Sequence, residues 1–291
     1  MTYFQHLISC HDLHARLGSK NLVVLDASIP PVGKMVLPKY SWPEYRIEHA
    51  QRFDLNKDFS ALNSPLPHTM PSALHFSKAA QKLGINQQSQ VVVYDDLGLF
   101  SAARAWYMFK AMGHINIAVL DGGLPHWLAL NRTIAEQSRN INIEKNHGLG
   151  DFVAEQQDDF FCDYREVEQQ ICSQQQLILD ARANRRFKGV DAEPRAGVRS
   201  GHMPNSKNLP YNDLLTAGRL KPADELQKIF AAINPKNQAM ILTCGSGVTA
   251  CVLALAAELI GHKDVRVYDG SWSEWGASDS LPITTEKLDK L

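Results

Sequence analysis

Apolar residues along the chain fall into two patterns that alternate. Six short runs are apolar almost throughout: VVLDA (23–27), QVVVYD (90–95), NIAVLDG (116–122), LILDA (177–181), AMILTC (239–244) and DVRVYDG (264–270). A strand with one wet face alternates apolar and polar residues, so runs without alternation predict strands covered on both faces, as in a parallel sheet. Longer segments with helical spacing of apolar residues lie between them, at residues 101–112, 224–233 and 248–260. Strands alternating with helices predict an α/β fold around a parallel sheet. Open sheets of this kind bind ligands beyond the carboxyl ends of their strands. Asp26, Asp95, Asp121, Asp180, Cys244 and Asp269 all fall at such ends.

The pattern occurs twice. VVLDA at 23–27 returns as LILDA at 177–181, and VVVYD at 91–95 returns as MILTC at 240–244. SAARAW at 101–106 returns as TACVLA at 249–254, and VLDGG at 119–123 with Trp127 returns as VYDGS at 267–271 with Trp275. The offset drifts from 154 to 148, as expected for one fold present twice with loops of different length. This predicts a first domain over 1–140, a linker over 141–160 and a second domain over 161–291. The stretch 131–160, rich in Gln, Asn, Glu and Asp, contains the connection.

Composition narrows the partners. The 291 residues are 44% hydrophobic and 21% charged, with 30 Lys and Arg against 31 Asp and Glu. That is globular composition without a basic excess, so neither nucleic acid nor a membrane surface is an expected partner. The longest apolar runs, around 252–259, are far shorter than the ~20 residues of a spanning helix. The N-terminal stretch has no apolar signal-peptide core, and a soluble cytoplasmic protein is expected. Five cysteines occur at irregular spacings, without C-x-x-C or paired Cys/His spacing, so neither a disulfide framework nor a metal site is expected. Cys10, His11 and His14 read as part of a polar first helix.

The strongest chemical signal is TCGSGVTA at 243–250. An apolar strand ends, and a Gly-rich turn leads into an apolar helix. Gly245 and Gly247 let the backbone curl, the loop amides can turn inward, and the helix presents its N-terminal N–H groups. Such a loop would hold a thiolate at Cys244, with Ser246 or Thr249 adding a hydroxyl. A buried structural thiol beside a tight turn is the plainer reading; the strand–Cys–loop–helix order favours a nucleophile. A cysteine phosphatase would need an arginine six positions on, to clamp phosphoryl oxygens. That position is Ala250, and the loop has no cationic side chain. A transferred sulfur or a persulfide anion suits it better than a phosphate dianion.

The doubled domain with CGSGVTA in its second half resembles the two-domain rhodanese superfamily, and within it the branch that uses 3-mercaptopyruvate. Thiosulfate-using members typically carry CRKGVT; here Gly245 and Ser246 replace the two cations. The resemblance also rests on YDDLGLFSAARAW (94–106), SPLPH (64–68), EPR (193–195), GHMP (201–204) and DGSWSEW (269–275). It implies two tandem rhodanese-like domains, each a parallel five-stranded sheet flanked by helices. The first would be catalytically silent, with Asp95 where the second has Cys244.

The resemblance also implies a reaction. Cys244 would take sulfur from 3-mercaptopyruvate as a persulfide, release pyruvate, and pass the sulfur to a thiol, thioredoxin or cyanide, with no cofactor and no metal. Gly245, Gly247, Val248 and Thr249 would line the persulfide with amides. Arg186 and Arg195 would hold the carboxylate and keto group, with Arg185 an adjacent alternative to Arg186. Ser246 and His68 match a proton relay. The relay's acid falls at Asn56 in FDLN (53–56), leaving Asp54, Asp58 or no acid at all. IEHA (47–50) and MPNS (203–206) each lack a family glycine, so local turn geometry is expected to differ there. The competing readings are thiosulfate as donor, disfavoured by the neutral loop, and a persulfide relay serving one protein partner.

Overall fold

Strands without a polar face must be covered on both sides, and the computed structural model shows how this chain does it. It describes residues 6–30, 32, 40–41, 45–136 and 148–286; residues 141–147 of the expected linker lie outside them. The chain forms two compact units. The first comprises Met1–Leu62, Met70–Asp158 and Ala217–Leu220, and the second Asn63–Thr69, Asp159–Thr216 and Lys221–Leu291. Each unit therefore contains one short segment from the other half of the sequence.

The first unit holds a five-stranded sheet in the order Leu7–Ile8, Ile117–Leu120, Gln90–Tyr94, Leu22–Asp26, Gln51–Arg52. The second repeats it as Phe161–Cys162, Val265–Tyr268, Met240–Thr243, Leu177–Asp180, Lys207–Asn208. Every neighbouring pair in both sheets is parallel. Register follows the repeat: Val23 stands opposite Val91, and their counterparts Leu177 and Met240 stand opposite each other. The two parallel five-stranded sheets flanked by helices are those expected.

Helices cover both faces. The segment expected at 101–112 is the helix Ala102–Ala111, and that at 224–233 is Ala223–Ile233. The third, expected at 248–260, is shorter, Ala250–Leu259. Gly247 has φ +72°, so the chain turns there, and Val248 and Thr249 belong to the loop. Eight of this helix's residues are buried, most of them Ala, Cys or Val, small enough for close packing on the strands. The polar first helix is Cys10–Arg16, capped by Ser9 taking the Asp12 N–H, with Cys10 and Leu13 turned inward.

Residues 148–157, within the stretch read from the sequence as a connection, form a strap on the first unit. Gly150, Phe152 and Ala154 donate backbone N–H groups to Gln81 O, Ile85 O and Ser77 Oγ at 2.9, 3.1 and 2.8 Å. Glu155 and Gln157 donate to Met112 O and Ala111 O. Phe152 is fully buried, its ring meeting those of Phe76, Phe109 and His114 at 5.2–6.4 Å. Gly150 is required by proximity, since a Cβ there would lie 2.0 Å from Ile85 O.

At the carboxyl end of Gln90–Tyr94, Asp96 is 4% exposed and donates its N–H to Ser28 Oγ at 3.0 Å. Burial pushes its carboxyl up to about 7, and the nearby Asp95 and Asp26 add to the rise. In the unfolded chain an aspartate ionises near about 3.9. Between those values the folded state keeps a proton that the unfolded state loses, so this group makes stability fall as pH rises. The slope is at most about 1.4 kcal/mol per pH unit, levelling off above the folded value. Asp96→Asn should flatten that part of the profile and stabilise the protein near neutral pH. Urea unfolding at pH 4.5, 6 and 7.5 checks this, and parallel profiles for variant and wild type would contradict it.

Candidate active site

The loop that begins at Cys244 is fixed at several points by its neighbours. Cys244 is 1% exposed. Its N–H donates to Ser271 Oγ at 3.3 Å, and its C=O accepts from Trp272 N at 3.0 Å. Gly245 O accepts from Ser273 N and Ser273 Oγ at 2.8 and 2.5 Å. Ser271 is fully buried at φ +48°, where a side chain is unfavourable, and its Oγ donates to Tyr268 O at 2.8 Å. The strained serine joins the end of Val265–Tyr268 to the Cys244 amide. The repeat shows what it replaces: the counterpart is Gly123, at φ +53°.

Two guanidinium groups flank Gly245. A Cβ on this glycine would lie 3.3 Å from Arg186 Nη2 and 3.8 Å from Arg195 Nη1. Gly245 does not need a left-handed conformation; it is small because the cations come close. Arg186 sits on the short helix Asn184–Phe187. Its neighbour Arg185 is exposed and paired with Asp191 at 2.8–3.1 Å, so of the two it is Arg186 that meets the loop. Arg195 Nη2 lies 3.4 Å from Ser246 Oγ. Burial pulls the Arg195 pKa below its ordinary value and the Arg186 charge adds to this, opposed by Cys244 and Glu193.

His68 reaches the same hydroxyl. It lies in the segment Asn63–Thr69 of the second unit, and its Nδ1 is 3.0 Å from Ser246 Oγ. The histidine is 8% exposed at φ +62°. Its segment is tied by Ser64, whose Oγ accepts from Leu66 N and pairs with Thr69 Oγ1 at 2.8 Å. Among the residues considered as the relay's acid, Asp54 takes the N–H groups of Asn56 and Lys57, both at 3.1 Å. The backbone carbonyl of Asp58 pairs with His75 Nε2. The structure thus brings Cys244, Gly245, Ser246, His68, Arg186 and Arg195 together, with Gly247, Val248 and Thr249 completing the loop.

The first unit shows what such a loop binds. Asp95, at the counterpart of Cys244, is fully buried. Its Oδ1 accepts from Leu97 N at 3.0 Å, and its Oδ2 from Phe100 N, Ser101 N and Ala102 N, each at 2.8 Å. The loop closes its amides on its own carboxylate. Counted from the helix starts at Ala102 and Ala250, the three Oδ2 donors correspond to Val248, Thr249 and Ala250. Gly98 and Gly247, three residues after Asp95 and Cys244 respectively, both have positive φ, at +103° and +72°, and the first loop has one residue more before its helix. The position corresponding to His68 is the Ala217–Gly218 turn, whose Gly218 O lies 2.9 Å from the Cβ position of Gly98. The first unit thus lacks both the sulfur and the imidazole.

Sequence reasoning did not identify Ser271, Ser273, Glu193 and Arg182. The repeat carried a signal for Ser271, since a serine replaces a glycine there. Glu193 was visible only as part of EPR. Among the described residues no three His, Cys, Asp or Glu side chains converge as a metal site, and no helix is long and apolar enough to cross a membrane.

The family model described as a rhodanese-like domain matches the chain twice, at residues 9–130 and 163–278. A 3-mercaptopyruvate sulfurtransferase from Mus musculus is 38% identical over 270 residues, covering 90% of this chain and 88% of the relative. A thiosulfate sulfurtransferase from Mus musculus is 38% identical over 276 residues, covering 89% and 86%. The crystal structure of SseA from Escherichia coli, a 3-mercaptopyruvate sulfotransferase with the rhodanese fold, superposes with a TM-score of 0.79 at 30% identity, covering 92% of this chain and 99% of that one. With both halves matched and the doubled sheet in place, the chain belongs to the rhodanese family.

Proposed function

We propose that this protein is a sulfurtransferase that takes sulfur from 3-mercaptopyruvate, carries it as a Cys244 persulfide, and releases pyruvate. The observation that carries this reading is the pair of guanidinium groups of Arg186 and Arg195 beside Gly245, adjacent to a buried cysteine at the mouth of an amide-lined loop. A planar carboxylate next to a keto group suits two such forks.

In the first half-reaction the Cys244 thiolate attacks the thiol sulfur of the donor. An S–S bond forms, the donor C–S bond breaks, and its electron pair passes to the methylene carbon, giving the enolate of pyruvate. The thiol proton reaches that carbon by way of Ser246 and His68, whose Oγ and Nδ1 are 3.0 Å apart. Thiolate and mercaptopyruvate thereby become persulfide anion and pyruvate. In the second half-reaction an acceptor thiolate attacks the outer sulfur, the S–S bond breaks, and its electron pair returns to Cys244. This is covalent catalysis that divides one transfer into two.

Asp95 supports the persulfide step. Its chain Cβ–Cγ–Oδ2 has the same number of atoms as Cβ–Sγ–Sδ in a cysteine persulfide. The three amides that hold Oδ2 in the first unit have counterparts at Val248, Thr249 and Ala250, which would hold the outer sulfur in the same way. The acceptor, on the family resemblance, is a small thiol or thioredoxin, with cyanide as a probe. All five cysteines are free, which suits a reducing compartment such as the cytoplasm.

Thiosulfate is the competing donor, since a relative that covers most of the chain bears that name. Against it stands the neutral loop: Gly245 and Ser246 carry no charge, and the cations beside Gly245 are Arg186 and Arg195, which suit a carboxylate. The specificity constant for 3-mercaptopyruvate should exceed that for thiosulfate, and the reverse order would reassign the donor. Incubation with 3-mercaptopyruvate should release pyruvate and add one sulfur to the intact mass, an addition absent in Cys244→Ser. Sulfur found on Cys10, Cys162, Cys172 or Cys251 in active protein, with Cys244 unmodified, would overturn the assignment. Arg186→Met and Arg195→Met should each lower the specificity constant for persulfide loading about ten- to a hundredfold, corresponding to about 1.5–3 kcal/mol for a charge-assisted hydrogen bond. Removal of the sulfur by cyanide should change little, and equal losses in both half-reactions would place these arginines in the fold.

A further inference from the structure

Behind Arg186 lies a chain of buried charges. Arg182 donates through Nε and Nη2 to Asp180 at 2.6–3.1 Å and through Nη2 to Gly201 O at 2.8 Å. Its guanidinium lies 4.2 Å from the centre of the Trp272 ring. Burial would lower the Arg182 pKa, and Asp180 and Glu193 more than offset it. With Arg182 so fixed, its Nη1 donates to Glu193 Oε1 at 2.9 Å. Glu193, with a side chain 3% exposed, then accepts from Arg186: Nε to Oε1 at 3.2 Å and Nη2 to Oε2 at 2.5 Å.

This contact decides which part of Arg186 remains for a ligand. A guanidinium has five N–H donors in one plane. Glu193 takes the Nε edge as a fork, which fixes the plane and leaves the Nη1 edge unused among the described residues. Nη2, shared between the two edges, is the atom 3.3 Å from the Cβ position of Gly245. Without Glu193 a partly exposed arginine on a four-residue helix has no carboxylate to choose its rotamer.

We propose that Glu193 is a positioning residue, which holds Arg186 by its inner edge so that the outer edge receives the donor's carboxylate. The inference rests on the mercaptopyruvate reading. A purely structural role is the alternative, and the partner lists separate the two. Arg182 keeps Asp180 and Gly201 O when Glu193 is neutralised, whereas Arg186 loses its one carboxylate among the described residues.

Glu193→Gln, Arg186→Met and the double variant test this in pyruvate release from 3-mercaptopyruvate, beside cyanide removal of sulfur from the preloaded enzyme. In Glu193→Gln the KM for 3-mercaptopyruvate should rise about tenfold or more, with kcat and cyanide removal within about threefold of wild type. In the Arg186→Met background the same change should add nothing, because Glu193 acts through Arg186. An unchanged KM in Glu193→Gln, or a full additional loss in the Arg186→Met background, would overturn the proposal. Should Glu193→Gln fail to fold, Glu193→Asp keeps the negative charge but draws the carboxylate back from both arginines by one methylene; Arg182 keeps Asp180 and Gly201 O, and the same KM rise and non-additivity are expected. Absence of pyruvate from wild type itself would instead overturn the donor assignment.

Discussion

Backbone N–H groups that converge at a strand-to-helix turn in a buried loop have to find an acceptor, and this requirement organises both halves of the protein. Leaving such groups unpaired costs about 1–3 kcal/mol each. The first unit answers with its own side chain, since Asp95 accepts four loop amides. The second unit has a cysteine at that place, whose thiol ends one atom short of the position Oδ2 occupies. On the proposed reading, the counterparts of these donors at Val248, Thr249 and Ala250 would hold a sulfur delivered by chemistry, and exchanging a carboxylate for a thiol would turn a closed site into a reactive one.

The exchange of short segments reinforces this asymmetry. Asn63–Thr69 belongs to the second unit and Ala217–Leu220 to the first. The first of these presents an imidazole 3.0 Å from Ser246 Oγ. The second brings a glycine backbone against Gly98, together with the Arg219–Asp121 ion pair at 2.7 Å. Each loop is approached by a turn with positive φ, but only one turn bears a group that can move a proton. A buried thiol and an imidazole beside a serine hydroxyl are thus present together in one unit, and their counterparts in the other are a carboxylate and a glycine turn.

Much of this was legible in the sequence for simple reasons. Runs such as VVVYD and MILTC have no polar face, so they suit strands covered on both sides, as in a parallel sheet. Cys244, between an apolar strand and a Gly-rich turn, carried its own signal. Other features lack a local pattern. The strap at 148–157 is held by backbone hydrogen bonds and one buried phenylalanine, and composition alone presents it as a polar connection. The end of the helix expected at 248 was misplaced by two residues, because the left-handed turn at Gly247 does not show in apolar spacing. Arg185 and Arg186 are indistinguishable until Asp191 is seen to take the former. The left-handed Ser271 obeys a constraint set by the Cys244 amide, 27 residues away in the sequence.

Donor selection follows from the same crowding. Positive charge near Cys244 can come from the loop itself or from residues that lean over it, and the two arrangements compete for one space. Here the loop contributes none, and Gly245 lets Arg186 approach to 3.3 Å of where a side chain would begin. A cation grafted at 245 would therefore not simply add to the two arginines already present. Its first carbon would meet the Arg186 guanidinium at 3.3 Å, so that a group held by Glu193, itself bonded to Arg182, would have to give by a few tenths of an ångström. The neutral loop and the buried charge chain are in this sense one feature: the smallness of residues 245 and 246 matters because an arginine anchored elsewhere has been set to fill the space.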